Sequence, residues 1–421
     1  MGRVVITGMG VVSCNGVGLD NFINAIRNGI SGLTHHPELE RLKFSCTTAG
    51  TPNISEEKIA EYLNPIQLRG FNSSGILYGV MAGMDAWRDA GLAIGLEQDT
   101  DFESGTIFGA GTSGVDKFRE AIYQIDEGNV RRLGSSVVNQ IMNSGVSAFL
   151  GGILSLGNQV STNSSACATG VESILTGYDR IKSDKAKRML VGSCSDAGPY
   201  AWGGFDSLRV TASKYNNNPE AASRPMSASA AGFVPSAGAG AMVIEDLEMA
   251  LTRGAKIYGE ILGGCVNSGG QRNGGTMTAP NSIAVRRCIT DALWASQISG
   301  NDVDYINGHL TATVKDGMEI ANWCAALGRT GTDFPYINSL KSLIGHSIGA
   351  SGTIESVATV LQLQQGFIFG NRNCEDLHPD IAKLIDTNKV LASTIDKTIN
   401  IAVKASFGFG DVNACVIFKK Y

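Results

Sequence analysis

The sequence contains no apolar stretch of roughly eighteen residues, so it offers no membrane-spanning helix. It also lacks an excess of positive charge. Its 34 Lys and Arg against 39 Asp and Glu leave a net charge of -5, which argues against a nucleic-acid binder needing a basic surface for phosphates. No C-x-x-C pair occurs among the nine cysteines, an odd count, so neither a zinc knuckle nor a disulfide framework is expected. Reduced thiols in the cytosol are the expectation, and with them a cytoplasmic location. Met1-Gly2-Arg3-Val4-Val5-Ile6-Thr7 carries one positive charge and an apolar run soon broken by Gly8 and Gly10, a poor signal peptide. Ile6 stands where a myristoylation site needs Ser or Thr.

What is present is an ordinary globular composition, 43% hydrophobic and 17% charged over 421 residues, long enough for two core-forming units. Its 53 glycines are spread along the chain, which implies many tight turns and no low-complexity tract. Val4–Thr7, Thr106–Gly109, Met189–Val191 and Ala241–Ile244 read as buried strands. Ile76–Ala90 and Ser136–Leu154 carry helical patterns, and residues 207–231 read as a long loop of the kind that is often functional. After Gly254 the pattern restarts with strands at Lys256–Gly263, Tyr305–Asn307, Tyr336–Asn338, Ile399–Ala405 and Ala414–Phe418, and a helix around Ile283–Trp294. Thr169-Gly170-Val171-Glu172-Ser173-Ile174 resembles Gly352-Thr353-Ile354-Glu355-Ser356-Val357, each opening a helix beyond a small-residue turn. The chain thus divides into 1–255 and 256–421, two versions of one β/α unit.

Cys167 sits among small residues in Ser164-Ser165-Ala166-Cys167-Ala168-Thr169-Gly170, ahead of Val171, Ile174, Leu175, Tyr178 and Ile181 at helical spacing. A helix N-terminus stabilises an anion such as a thiolate, which places Cys167 as a nucleophile, although free cysteine more often fills core. There are five histidines. His309 lies where a strand runs out, and Lys341 and His346 lie between a strand and a helix, at the strand ends where α/β proteins form sites. The turn Gly109-Ala110-Gly111-Thr112-Ser113-Gly114 matches the dinucleotide fingerprint and supports an NAD-dependent oxidoreductase as a rival. It lies mid-chain, without the acid expected about 20 residues on.

Four segments in order, Ser165-Ala166-Cys167-Ala168-Thr169, Asn307-Gly308-His309-Leu310-Thr311-Ala312-Thr313, Lys341-Ser342-Leu343-Ile344-Gly345-His346 and Ser406-Phe407-Gly408-Phe409-Gly410, resemble the motifs of β-ketoacyl-acyl carrier protein synthases. Val4–Ser13 matches the family's opening, so the resemblance spans nearly the whole chain. It implies the thiolase fold, a duplicated α/β architecture in five layers, αβαβα, usually assembled as a dimer. By the same resemblance Cys167 is the nucleophile, His309 and His346 are the hydrogen-bond donors for decarboxylation, and Lys341 is the lysine that organises them. Glu319 aligns with an acid near that lysine, Thr311 and Thr313 with contacts to the phosphopantetheine arm, and Phe409 with the gate. Backbone N–H groups at Cys167 and Phe409 would form the oxyanion hole.

The implied activity is decarboxylative condensation of malonyl-acyl carrier protein with a Cys-bound acyl chain in fatty acid elongation, with no metal and no redox cofactor. A specialised ketosynthase for polyenes or polyketides is the alternative. A silent chain-length partner is the non-enzyme alternative, and a biosynthetic thiolase is disfavoured by the two-histidine arrangement. Expected partners are an acyl carrier protein, met by a basic patch for which Arg69, Arg131 and Arg132 are candidates, and an identical or ketosynthase-like second subunit. The chain departs from the family at Leu310 for Gly, Ala312 for Ser and Val314 near a lost Pro. Asp411 stands for Gly after Gly410, and Ser227–Ala231 for an Asp-x-x-Arg-Asp segment. The last two changes are expected at the acyl gate, where they remove a polar brace and alter chain selectivity.

Overall fold

The computed structural model describes residues 2–95 and 99–421. Two five-stranded units share one topology. The first contains β1 (Val4–Ser13), β2 (Ser104–Ala110), β3 (Val160–Ser161), β4 (Arg188–Ser195) and β5 (Gly238–Asp246), in the order β3-β2-β4-β5-β1. The second contains β6 (Gly259–Ser268), β7 (Tyr305–Asn307), β8 (Tyr336–Asn338), β9 (Ile401–Gly408) and β10 (Val412–Lys419), in the order β8-β7-β9-β10-β6. In each unit the first three strands of that order run parallel and the remaining pairings are antiparallel. The units join where Val4–Ile6 of β1 pairs with Gly259–Ile261 of β6.

Burial follows from the two-residue period of a strand whose faces are both covered. Met189 and Val191 of β4 face a central apolar layer, while Leu190 and Cys194 face an outer one. In β10, Ala414, Val416 and Phe418 turn to that central layer and Cys415 and Ile417 to the other outer layer. Helix α1 (Ser74–Asp89) covers the first unit, and α3 (Ser282–Ala295) with α4 (Asp316–Leu327) covers the second. Between the sheets lie α2 (Thr169–Lys182) and α5 (Ser351–Gln365), which touch strands of both units. The result is five layers, αβαβα.

The central helices are related as the sheets are. Each follows a short 3-10 turn, Ala166–Ala168 or Ile348–Ala350, that opens on a residue in the left-handed region, Ala166 at φ 50° and Ile348 at φ 48°. They cross where a Cβ on Gly170 would lie 2.5 Å from Thr353 N and one on Gly352 would lie 2.6 Å from Val171 N. Gly170 therefore corresponds to Gly352, one residue away from the pairing that the sequence suggests through Glu172 and Glu355. The carboxylates do not occupy equivalent places. The helical pattern at 136–154 is broken into Val137–Ile141 and Gly145–Ile153. Among the described residues no helix is long and apolar enough to cross a membrane.

Because the crossing brings backbone against backbone, Gly170→Ala should lower the unfolding free energy by about 1–3 kcal/mol, as overpacked core sites do. Gly152→Ala, whose Cβ meets nothing within 4 Å, is the control and should be neutral or stabilising by up to about 1 kcal/mol as a helix substitution. Urea midpoints measure both.

Candidate active site

Cys167 occupies the 3-10 turn ahead of α2, held by Thr169, whose Oγ1 accepts the Ser165 N–H at 2.9 Å and donates to the Ala166 carbonyl at 2.7 Å. The end of β9 runs directly over it. A Cβ on Gly408 would stand 3.0 Å from both Cys167 N and Ser165 O, so a glycine permits the approach. The next backbone N–H, that of Phe409, points at the sulfur.

His346 reaches the same point from the segment before α5. Its Nε2 lies 3.2 Å from Cys167 Sγ. The Ile348 N–H donates to His346 Nδ1 at 3.2 Å, and Ser351 Oγ lies 2.9 Å from the same nitrogen. A backbone N–H can only donate, so Nδ1 is an acceptor and the ring proton of neutral His346 resides on Nε2, facing the sulfur. His309 stands past the end of β7 with its ring centroid 5.4 Å from that of His346. Ligand atoms of Cys167, His309 and His346 all lie within 4.8 Å of one another, an arrangement also able to hold a soft cation.

Beneath the imidazoles lies a buried charge cluster. Lys341 Nζ is 2.5 Å from Glu355 Oε1, and Lys404 Nζ is 2.7 Å from Glu355 Oε2. All three side chains are at most 1% exposed. Two ammonium groups share one carboxylate, and burial followed by the Lys341 charge holds both imidazoles well below their ordinary range. Burial pushes the Cys167 thiol up to about 11, with Lys341 and the Phe409 N–H pulling the other way. The helix N-terminus does not outweigh that desolvation. The resting pair is a neutral thiol beside neutral imidazoles, rather than the thiolate expected from the sequence.

Glu319 is not the acid beside Lys341; Glu355 is. The Glu319 carboxylate instead accepts the His309 and Leu310 N–H groups at 2.7 and 2.8 Å and the Trp323 indole N–H at 3.3 Å, while burial pushes it up to about 7. It orients the His309 loop through the backbone. Asp316 does the same one step on, accepting N–H groups from Thr311, Ala312, Thr313 and Met226. These bonds hold Leu310 at φ 21° and Ala312 at φ 61°, two of the positions that depart from the family pattern. Glu355, Lys404 and Asp316 escaped sequence reasoning. The signal for the first two was a lone charge in an otherwise uncharged helix and strand.

A cavity of about 230 Å³ connects these groups and is lined by Cys167, His309, His346, Thr311, Thr313 and Phe409, among others. Asp411 is not part of its wall. Its carboxylate turns away and accepts N–H groups from Gln271 and Asn281, because the loop 269–281 offers it unpaired donors. Residues 227–231 likewise do not line this cavity, and they keep a polar brace. Ser227 Oγ donates to Asp376, the Ser229 N–H reaches Asp376 at 2.9 Å, and Arg224 bonds Ser229 Oγ at 2.8 Å and pairs with Glu375. Arg69, Arg131 and Arg132 are exposed and none lines the cavity, whereas Lys315 does. The glycine turn 109–114 packs against protein. A Cβ on Gly109 would meet Thr169 Cγ2 at 2.3 Å and one on Gly114 would meet Gln140 O at 1.9 Å, so these two glycines serve packing, while a Cβ on Gly111 would meet nothing within 4 Å.

The sequence matches the descriptions "Beta-ketoacyl synthase, N-terminal domain" over residues 1–250 and "Beta-ketoacyl synthase, C-terminal domain" over residues 258–375. It is 32% identical over 423 residues, the whole of both chains, to 3-oxoacyl-[acyl-carrier-protein] synthase 1 of Haemophilus influenzae. Its structure is similar over all of both chains to a beta-ketoacyl synthase from Burkholderia phymatum, with TM-score 0.91 and 28% identity. It is also similar over all of both chains to the type II polyketide ketosynthase of AntDE:AntF, solved in complex with its acyl-carrier protein, with TM-score 0.88 and 27% identity.

Alkylation of Cys167 by iodoacetamide should rise about tenfold per pH unit from neutral pH and level off only near the thiol's value of about 11. Peptide mass spectrometry across the pH range checks this, and a plateau reached by pH 7 would indicate a preformed thiolate instead.

Proposed function

The chain belongs to the beta-ketoacyl synthase family and has its thiolase fold, and on that premise we propose the following mechanism for extending an acyl chain with malonyl-acyl carrier protein in fatty acid elongation. The observation that carries it is the convergence of the Cys167 sulfur, the His346 Nε2–H and His309 in one buried cavity.

Cys167 Sγ attacks the acyl thioester carbonyl, and the carbonyl oxygen takes the negative charge against the N–H groups of Cys167 and Phe409. The bond to the pantetheine sulfur breaks, and that sulfur leaves with the proton that Cys167 gives up. Malonyl thioester then enters with its arm along Thr311 and Thr313. Loss of CO2 leaves an enolate whose oxygen accepts hydrogen bonds from His346 Nε2–H and His309. Its carbon attacks the acyl-cysteine carbonyl, the new carbon–carbon bond forms, and Cys167 departs as thiolate to be reprotonated. Burial, and after it the charges of Lys341 and Lys404, keeps the imidazoles neutral, and the Ile348 N–H on Nδ1 leaves the His346 proton on Nε2 as the donor. These steps use protein groups and the substrates' own thioesters, and we assign no metal or redox cofactor.

Acyl carrier protein is the proposed partner, and the AntDE:AntF complex supports that assignment. The same likeness favours a polyketide-type acyl chain as the second reading. A paired subunit, identical or ketosynthase-like, is proposed to cover the exposed apolar residues Phe118, Ile122, Tyr123 and Val138. The nine free cysteines support a reducing, cytoplasmic setting.

Cys167→Ala should abolish both acyl-enzyme and condensation without unfolding the protein. His309→Ala and His346→Ala should each still be acylated on Cys167, yet release CO2 from labelled malonyl-acyl carrier protein on the order of 10²–10³ more slowly, the usual effect of losing one oxyanion donor. Acylation at another cysteine, or undiminished CO2 release by either histidine variant, overturns the assignment.

A further inference from the structure

The gate turn and the neighbouring loop are tied together by a residue outside the chemistry. Phe409, which lines the cavity beside Cys167, belongs to the turn between β9 and β10. Two residues on, Asp411 is fully buried at φ 62°. Its Oδ1 accepts the Asn281 N–H at 2.8 Å and its Oδ2 the Gln271 N–H at 3.0 Å, while its carbonyl accepts the Gly269 N–H at 2.9 Å. Gly410 completes the tie by donating to the Met277 carbonyl at 2.8 Å. Two glycines make room for the carboxylate, since a Cβ on Gly269 or Gly275 would lie 2.1 or 2.3 Å from Oδ2.

The loop held in this way supplies Thr278 and Pro280 to the same cavity wall as Phe409. Beyond it, Asn281 caps α3 by accepting the Ile283 N–H at 2.9 Å, and Val285 of that helix also lines the cavity. Charge-assisted bonds to backbone N–H groups are among the stronger ones a loop can make. A Phe409 turn bonded to the loop in four places cannot swing aside alone. The cavity of about 230 Å³ is walled by the Phe409 turn and by this loop together.

We propose that Asp411 is a positioning residue that fastens the Phe409 turn to the loop 269–281, so that both walls of the acyl cavity open together and long acyl chains load more slowly than short ones. The proposal rests on Cys167 being the acyl acceptor. The test compares wild type with Asp411→Gly, with Asp411→Asn, which retains one acceptor oxygen, and with Gly275→Ala, which crowds Oδ2 and leaves Asp411 in place. Hydrogen exchange across 269–281 should quicken by roughly tenfold in Asp411→Gly and Gly275→Ala. The ratio of dodecanoyl to butyryl transfer from carrier thioesters to Cys167 should rise by about the same factor, with Asp411→Asn in between. Unchanged exchange in both of the stronger variants overturns the tie, and faster exchange with an unchanged transfer ratio overturns its role in the gate. If wild type accepts neither acyl group on Cys167, the proposed function fails, while the exchange measurements still decide the tie.

Discussion

The contact between Gly170 and Gly352 is the constraint from which the site follows. Two helices from different halves of the chain touch backbone to backbone, at a distance no side chain permits. Each is preceded by the segment that carries its half's contribution, the Cys167 turn before α2 and His346 before α5. Closing the helices on each other therefore closes the sulfur on the imidazole, at 3.2 Å. Duplication of the β/α unit makes this possible because the same turn geometry, with Ala166 and Ile348 both in the left-handed region, is used twice and faces itself.

Symmetry ends with the electrostatics. Among the described residues, it is the second unit that places a carboxylate, Glu355, between two buried lysines. A single buried ion pair would be close to neutral in its effect on nearby groups, whereas two cations on one anion leave a net positive field. Burial and, after it, that field explain the neutral imidazoles, whereas burial keeps the thiol neutral against the pull of Lys341. Such a site holds its hydrogen-bond donors ready and lets the proton leave only as acyl transfer proceeds.

The departures from the family pattern fall on backbone supports more than on the chemistry. Leu310 and Ala312 adopt φ values that glycine accommodates more easily, and the Glu319 and Asp316 carboxylates hold them there by capturing N–H groups. Asp411 plays the corresponding part for the loop 269–281. In each place a buried acid organises main chain that reaches the cavity, which is why Glu319 is spent on the His309 loop and does not pair with Lys341.

The linear sequence determined the elements and the chemistry-bearing residues. Short apolar runs marked the strands, helical spacing marked α2, and the scarcity of histidine made His309 and His346 stand out beside Cys167. These are local properties, legible within a few residues of each position. What lay across the fold was not legible: Glu355 as the acid of Lys341, Lys404 beside it, the direction of the Asp411 side chain, and the brace that Arg224 and Asp376 give to Ser227–Ala231. The one-residue register between the two halves belongs with them, because only the glycine crossing shows it. Tertiary structure also decided the protonation of Cys167, since a helix N-terminus can be read from sequence but the desolvation that outweighs it depends on everything packed around the sulfur.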